Sequence, residues 1–195
     1  MNNDGYKVVD NFLDPNLADE LYTIFSKSED WKKIVQEREN HYNHVFLNDD
    51  ITAPDQSEIY SAKFWRSNGI ESNDRFLSVY QNSIIEKLTK ETNLSFLTSD
   101  IRCYKLIPGD YYRSHCDDYA GDIGLILYLN KKWKYDWGGL LNILDNGEVN
   151  TIVPKFNRAV IIWHEKFKLH HCVSSVAEFA REPRFTITSF NRVKE

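Results

Sequence analysis

The sequence predicts a mainly β fold with flanking α-helices: a two-sheet jelly roll with its helices packed on one outer face. Three observations lead there. From about residue 99 onward, six or more short apolar segments recur between turn residues. One of them, Ile123 to Leu129, is almost wholly apolar, as a strand buried on both faces must be. Helical spacing of apolar residues is confined to the first half of the chain.

Taken in order, Tyr6 to Phe12 reads as a short strand centred on Val8 and Val9. Asp14-Pro15 starts a helix, with a capping carboxylate followed by proline at the first helical position. Leu17, Leu21, Ile24 and Phe25 follow on one face. Residues 28–75 carry Trp31, Tyr42, Phe46, Phe64 and Trp65 among many polar residues, with Pro54 and Gly69 as breakers. One or two short strands, a mobile loop near 48–58 and a short helix around 57–67 are expected there. Asn73 or Asp74 caps a second helix, whose buried stripe is Leu77, Tyr80, Ile84 and Leu88.

The strand-rich part begins with Ile101 to Ile107, and Pro108-Gly109-Asp110 is a turn. Further strands are read at Tyr111–Asp117, Ile123–Leu129, Leu140–Leu144, Ala159–Trp163, Leu169–Val176 and Phe185–Phe190. Asp145-Asn146-Gly147 is a hairpin-type turn. Gly138 and Gly139 mark a close backbone approach at a strand start. No repeat, low-complexity tract or linker divides the 195 residues. The expectation is one domain, with residues 1–98 as support and 99–192 as the core.

Composition narrows the function. Aromatic residues make up 14% of the chain, which suits a β-rich protein with a large pocket. The net charge of −5 argues against a generic nucleic-acid binder. No apolar run is long enough to span a membrane, and the N-terminus lacks the pattern of a signal peptide. Cys103, Cys116 and Cys172 are odd in number and widely spaced, so no disulfide framework is expected. These features point to a reduced, cytoplasmic protein.

The candidate site starts from His115-Cys116-Asp117. In an extended segment, residues two apart leave the same face, so an imidazole and a carboxylate can grip one metal ion. His171 would complete a two-His, one-carboxylate set, which leaves open positions on an octahedral iron. His170 is adjacent, and its side chain must point the other way. Arg184 offers a planar fork that matches a carboxylate, and Thr186 and Thr188 share its strand face.

The second half runs Y-Y-R-S-H-C-D-D, L-I-L-Y-L-N, W-G-G, P-K-F-N-R, H-H-C-V-S-S-V, R-F-T-I-T. In order and spacing it resembles the prolyl-hydroxylase branch of the Fe(II)/2-oxoglutarate-dependent oxygenases. Asp117 and His171 are 54 positions apart, and His171 and Arg184 are 13 apart. The family's H-x-V-x-x-V pattern fits His171 to Val176 and not His170. The resemblance implies a double-stranded β-helix, the cupin-like jelly roll. It also implies iron held by His115, Asp117 and His171, and 2-oxoglutarate held by Arg184 with Tyr128 and Thr188. Tyr112 stands where the family places an aromatic against the substrate. Dioxygen is the further substrate, ascorbate a supporting reductant, and succinate and carbon dioxide are the products. The implied target is a prolyl residue in a peptide or protein, with the loop around 41–57 and the turn at 131–137 at its mouth. Two other readings remain open: a same-family oxygenase acting on a small molecule or nucleobase, and a non-catalytic β-sandwich binding module. Intact ligands and an intact Arg184 speak against the module.

Overall fold

In the computed structural model, residues 5–39, 46–48, 51–52, 59–117, 120–145, 147–164 and 169–194 are described. The chain runs β1 (Tyr6–Val9), α1 (Pro15–Lys27), β2 (Trp31–Glu39), β3 (Phe46–Asn48), β4 (Ile51–Thr52), β5 (Ile59–Ser67), α2 (Asp74–Val79), a π turn (Tyr80–Ile84), α3 (Ile85–Thr92), β6 (Phe96–Leu106), β7 (Tyr111–His115), β8 (Ile123–Tyr128), β9 (Leu141–Asp145), β10 (Glu148–Ile152), β11 (Arg158–Trp163), β12 (His171–Val173) and β13 (Arg184–Val193).

The helix starts follow their capping chemistry. The Asp14 side chain accepts from the Asn16 N–H with Pro15 at the first turn, and the Asn73 side chain accepts from the Phe76 N–H. The π turn keeps Tyr80 and Ile84 both buried, and the Tyr80 hydroxyl donates to Asn191 Oδ1 at 3.2 Å.

Among the described residues, the strands form one curled antiparallel sheet in the order β1-β11-β8-β13-β6-β5-β7-β12-β9-β10, with β2 added beside β5. This is the jelly roll the sequence predicts. Period-two alternation decides what each face meets. Leu125, Leu127, Ala159, Ile161, Phe185, Ile187 and Cys103 point outward and pack with Leu21, Phe25, Phe76, Ile84 and Leu88 of the helices. Tyr128, Val160, Ile162 and Leu106 point inward and meet Leu141, Ile143 and Val173 from across the curl. The continuous apolar run over β8 reflects this double burial.

Three expectations are corrected. The segment around 57–67 is strand β5 and not a helix, because Ala62 and Phe64 alternate into the core while Lys63 and Trp65 face away. It pairs with β2 over nine residues, so both strands are longer than expected. The 169–176 strand is only His171–Val173, interrupted where Ser174 N–H turns to the Leu140 carbonyl. The sheet also draws β1, β2 and β5 from the N-terminal half. The expected lid at 41–57 lies for the most part outside the described residues. No helix of the described residues is long and apolar enough to cross a membrane.

One buried residue ties the N-terminus to the sheet. Asn157 has φ 58°, and its side chain accepts from Leu13 N–H at 2.9 Å and donates to Leu13 C=O at 2.7 Å. Asn157→Ala should therefore lower the unfolding free energy by about 2–4 kcal/mol, the sum of lost buried hydrogen bonds and left-handed backbone strain. Asn157→Gly should cost less, since glycine removes the strain alone. Urea denaturation of the two variants measures the difference.

Candidate functional site

The inward faces of β2, β5, β6, β7, β12 and β13 enclose a cavity of about 260 Å³. Its wall holds the predicted trio. His115 ends β7, and His171 opens β12 directly opposite it in the antiparallel register. Asp117 lies just past the end of β7, where the chain turns through the Ala120 N–H to Asp117 C=O bond. Asp117 Oδ2 is 3.3 Å from His171 Nε2 and 3.8 Å from His115 Nε2. One ligand atom from each residue lies within 4.8 Å of the others, close enough for the three to hold one metal ion.

Backbone carbonyls set which imidazole nitrogen faces that point. His115 Nδ1 meets Arg113 C=O at 2.8 Å, and His171 Nδ1 meets Leu169 C=O at 3.1 Å. A carbonyl can only accept, so Nδ1 donates in both rings and Nε2 faces the shared point, where it offers a lone pair to a metal once the ring is neutral. Burial alone would raise the Asp117 carboxyl, but the His115 and His171 rings beside it hold it well below the usual range. The carboxylate is thus ionised and ready as a ligand.

A bulge explains Tyr112. Three positions before His115, it would face the opposite side of a regular strand. The β7–β12 register shifts by one residue between the His171–His115 and Val173–Tyr112 pairs. The extra residue turns both side chains into the cavity. Tyr112 stacks on Phe64 at 4.7 Å, with its ring centroid 6.1 Å from that of His115.

Arg184 stands elsewhere on the wall and is 3% exposed. Among the described residues no carboxylate pairs with it, and its Nε makes no hydrogen bond. Its guanidinium lies 5.0 Å from the Tyr128 ring centre, with the buried Tyr128 hydroxyl as its polar side-chain neighbour. Burial pushes the Arg184 guanidinium below its ordinary value. A buried cation facing a cavity without a counter-ion is an anion site in all but the anion. Gly139 makes room for it, since a Cβ there would sit 2.9 Å from Arg184 Cδ. Gly138 is equally constrained: with φ 66°, a Cβ would collide with the Ser175 carbonyl. The expected close approach at 138–139 is therefore present.

Thr186 and Thr188 line the same cavity, and Thr188 is level with Arg102 on β6 and Ile126 on β8. Tyr128 lies behind Arg184 and is not part of the cavity surface. His170 is buried and does not face solvent, whereas Cys116 is the small core residue expected. Cys172 is only partly buried. The turn at 131–134 points largely elsewhere: Lys131 Nζ is 2.7 Å from Asp19 of α1 and lies over Tyr22.

Sequence reasoning missed Ile34, Gln36, Phe64, Arg66, Arg102 and Tyr104, which form much of the remaining wall. Alternation along Ile101–Ile107 did carry a signal, because Arg102 and Tyr104 fall on the face opposite Cys103. It also missed His164, buried against Gly124, with its ring 6.4 Å from His171 and 6.2 Å from Phe190.

Residues 100–192 match the family described as the 2OG-Fe(II) oxygenase superfamily. A search of curated sequences finds no match. Among solved structures, the chain is similar to a Pseudomonas putida prolyl-4-hydroxylase, at 16% identity, TM-score 0.61, covering 98% of this chain and 94% of that one. It is similar to a Trichoplax adhaerens prolyl hydroxylase solved with a hypoxia inducible factor peptide fragment, at 18% identity, TM-score 0.62, covering 97% and 84%. It is also similar to the non-heme alpha ketoglutarate dependent epimerase SnoN from nogalamycin biosynthesis, at 10% identity, TM-score 0.60, covering 96% and 77%.

The solitary burial of Arg184 has a measurable consequence. Arg184→Leu should raise the unfolding free energy of the ligand-free protein by roughly 1–4 kcal/mol, because an uncompensated buried charge is replaced by apolar packing. Unchanged or lower stability in urea unfolding would show that Arg184 already has a compensating partner.

Proposed function

We propose that the chain, whose residues 100–192 match the 2OG-Fe(II) oxygenase superfamily, is such an oxygenase and hydroxylates prolyl residues of a polypeptide, with His115, Asp117 and His171 holding iron(II). The observation that carries this reading is Arg184. It is a buried guanidinium with no carboxylate partner among the described residues, and it opens on the cavity that also holds the His-Asp-His trio. A dicarboxylate chelating the metal at one end and paired with Arg184 at the other satisfies both.

The donor set fits iron(II). Two neutral imidazoles and one carboxylate leave positions open for a chelating cosubstrate and dioxygen. When bound, iron(II) supplies the coupling of 2-oxoglutarate decarboxylation, to succinate and carbon dioxide, with insertion of one oxygen atom of O2 into a C–H bond. The chain's own residues do the rest. Arg113 and Leu169 carbonyls fix the imidazole tautomers. Arg184 orients the distal carboxylate, with the Tyr128 hydroxyl behind it and Thr188 along the same strand face. Phe64, Tyr104 and Tyr112 give flat apolar walls that exclude water and suit a pyrrolidine ring.

The prolyl assignment draws on Tyr112 and on the two prolyl hydroxylases of similar fold, one of them solved with a peptide. The test has two parts. His115→Ala, Asp117→Ala and His171→Ala should each lose manganese(II) binding by calorimetry, whereas His170→Ala should retain it. Arg184→Leu should keep the metal but lose the thermal stabilisation that 2-oxoglutarate gives the wild type. Proline-containing peptides incubated with iron, 2-oxoglutarate and ascorbate should gain one oxygen on proline by mass spectrometry. Succinate release with free amino acids or nucleobases, and no oxygen gained on proline, would replace the polypeptide reading with a small-molecule one.

A further inference from the structure

The cavity contains more positive charge than the proposed metal and cosubstrate use. Its wall holds three arginines, Arg66, Arg102 and Arg184, with Asp117 as the one carboxylate among the described lining residues. This occurs in a chain of net charge −5. Iron(II) and Arg184 together offset the Asp117 carboxylate and a 2-oxoglutarate dianion. Arg66 and Arg102 then remain.

Their position separates them from Arg184. The antiparallel register places Arg184 opposite Leu106, Thr186 opposite Tyr104 and Thr188 opposite Arg102. Arg102 is thus four residues along the strand from the Arg184 level, about 13 Å at the usual strand rise. Arg66 is opposite Tyr104 across β5–β6. Arg102 is held by Asp100, with Nε at 3.0 Å and one terminal nitrogen at 2.6 Å, and its guanidinium lies 4.7 Å from the Phe190 ring centre. Asp100 takes one edge of the fork and the Tyr104 hydroxyl also meets the guanidinium, so a ligand anion would share Arg102 with that hydroxyl at the cavity wall.

Arg66 has no acidic partner among the described residues. Its neighbour in the β2–β5 pair is Lys32, so two like charges stand directly opposite on one face. Such pairs destabilise a sheet. Among the described residues, the salt bridge that Arg102 makes is to Asp100.

Resting on the oxygenase reading above, we propose that Arg66 and Arg102 form an anion subsite for the substrate, which therefore carries a carboxylate close to its reacting C–H bond. That carboxylate belongs either to an acidic residue beside the target proline or to the free acid of an amino-acid-sized substrate. The aromatic wall of Phe64, Tyr104 and Tyr112 receives the apolar part, and the two guanidiniums clamp the charge and thereby fix which carbon faces the metal.

Calorimetry on the manganese(II)-loaded, 2-oxoglutarate-bound full chain tests this with two matched pairs of probes. One pair is N-acetyl-L-proline and its primary amide. The other is a blocked Gly-Glu-Pro-Gly peptide and its Gln counterpart. The carboxylate member of at least one pair should bind about tenfold tighter, the usual scale for one charge-assisted contact. Its advantage should shrink with added salt and disappear in Arg66→Gln or Arg102→Gln. A preference confined to the peptide pair assigns the charge to a neighbouring acidic residue, and one confined to acetylproline assigns it to a free acid. Equal binding within both pairs overturns the subsite while leaving the oxygenase reading intact. Failure of the wild type to bind 2-oxoglutarate overturns that reading instead. If Arg66→Gln weakens 2-oxoglutarate as much as Arg184→Leu does, the arginine serves the cosubstrate and the subsite is likewise overturned.

Discussion

The cost of burying a guanidinium governs this structure. Arg184 opens β13, and the strand's alternation gives it no choice of face. Phe185 and Ile187 are claimed by the helical layer, so Arg184, Thr186 and Thr188 must point inward. A β-sheet buried on both sides would normally place apolar residues at all these positions. Here one face is apolar and the other is polar yet enclosed, which is a poor arrangement for stability and a good one for binding. The fold tolerates it because the helices and the outward face of β8, β11 and β13 supply an uninterrupted apolar core independent of the cavity.

The same separation protects the metal-ligand geometry. His115 and His171 come from strands paired across the opening of the curl, and each ring is fixed by a main-chain carbonyl two residues earlier in its own strand or its lead-in. Their orientation therefore depends on backbone and not on neighbouring side chains. The bulge in β7 adds a second constraint, since it is what allows Tyr112 and His115 to share a cavity although they are an odd number of residues apart. Gly124 and Gly139 serve by lacking a side chain: one leaves room for His164 behind His171, the other for the Arg184 stem.

Legibility in the sequence followed this division. The strands buried on both faces could be read from composition alone, and the caps at Asp14 and Asn73 from their side-chain chemistry. The trio and Arg184 were legible because a short motif and fixed spacing constrain them. The segment 57–67 was not. Ile59, Tyr60, Ala62, Phe64 and Trp65 put apolar residues at both odd and even positions of the sequence, so no strand period stands out, and a helix fitted as well. Missing β5 as a strand meant missing Arg66 and Phe64 as wall residues. Asn157 looked like an ordinary turn residue, since nothing local reveals that its side chain closes both hydrogen bonds of Leu13, 144 positions away.

These omissions have a common location, and it bears on how the protein acquires specificity. The metal trio, Arg184 and Tyr128 all lie within residues 100–192, the part that matches the superfamily. Ile34, Gln36, Phe64 and Arg66 complete the cavity from β2 and β5, outside that part. The backbone pairings between the two groups are short, two residue pairs each in β5–β6 and β5–β7, and side-chain stacking of Phe64 on Tyr112 and Trp31 on Phe185 completes the join. The proposed metal ligands and Arg184 thus sit on the part of the sheet that includes long pairings such as β13–β6, while one wall of the cavity is carried by a two-stranded unit of β2 and β5. Substitutions on that unit can change what fits against Phe64 and Arg66 without shifting the ligand triangle. Under the proposed function, substrate choice and oxygen chemistry fall on structurally separable parts of one sheet.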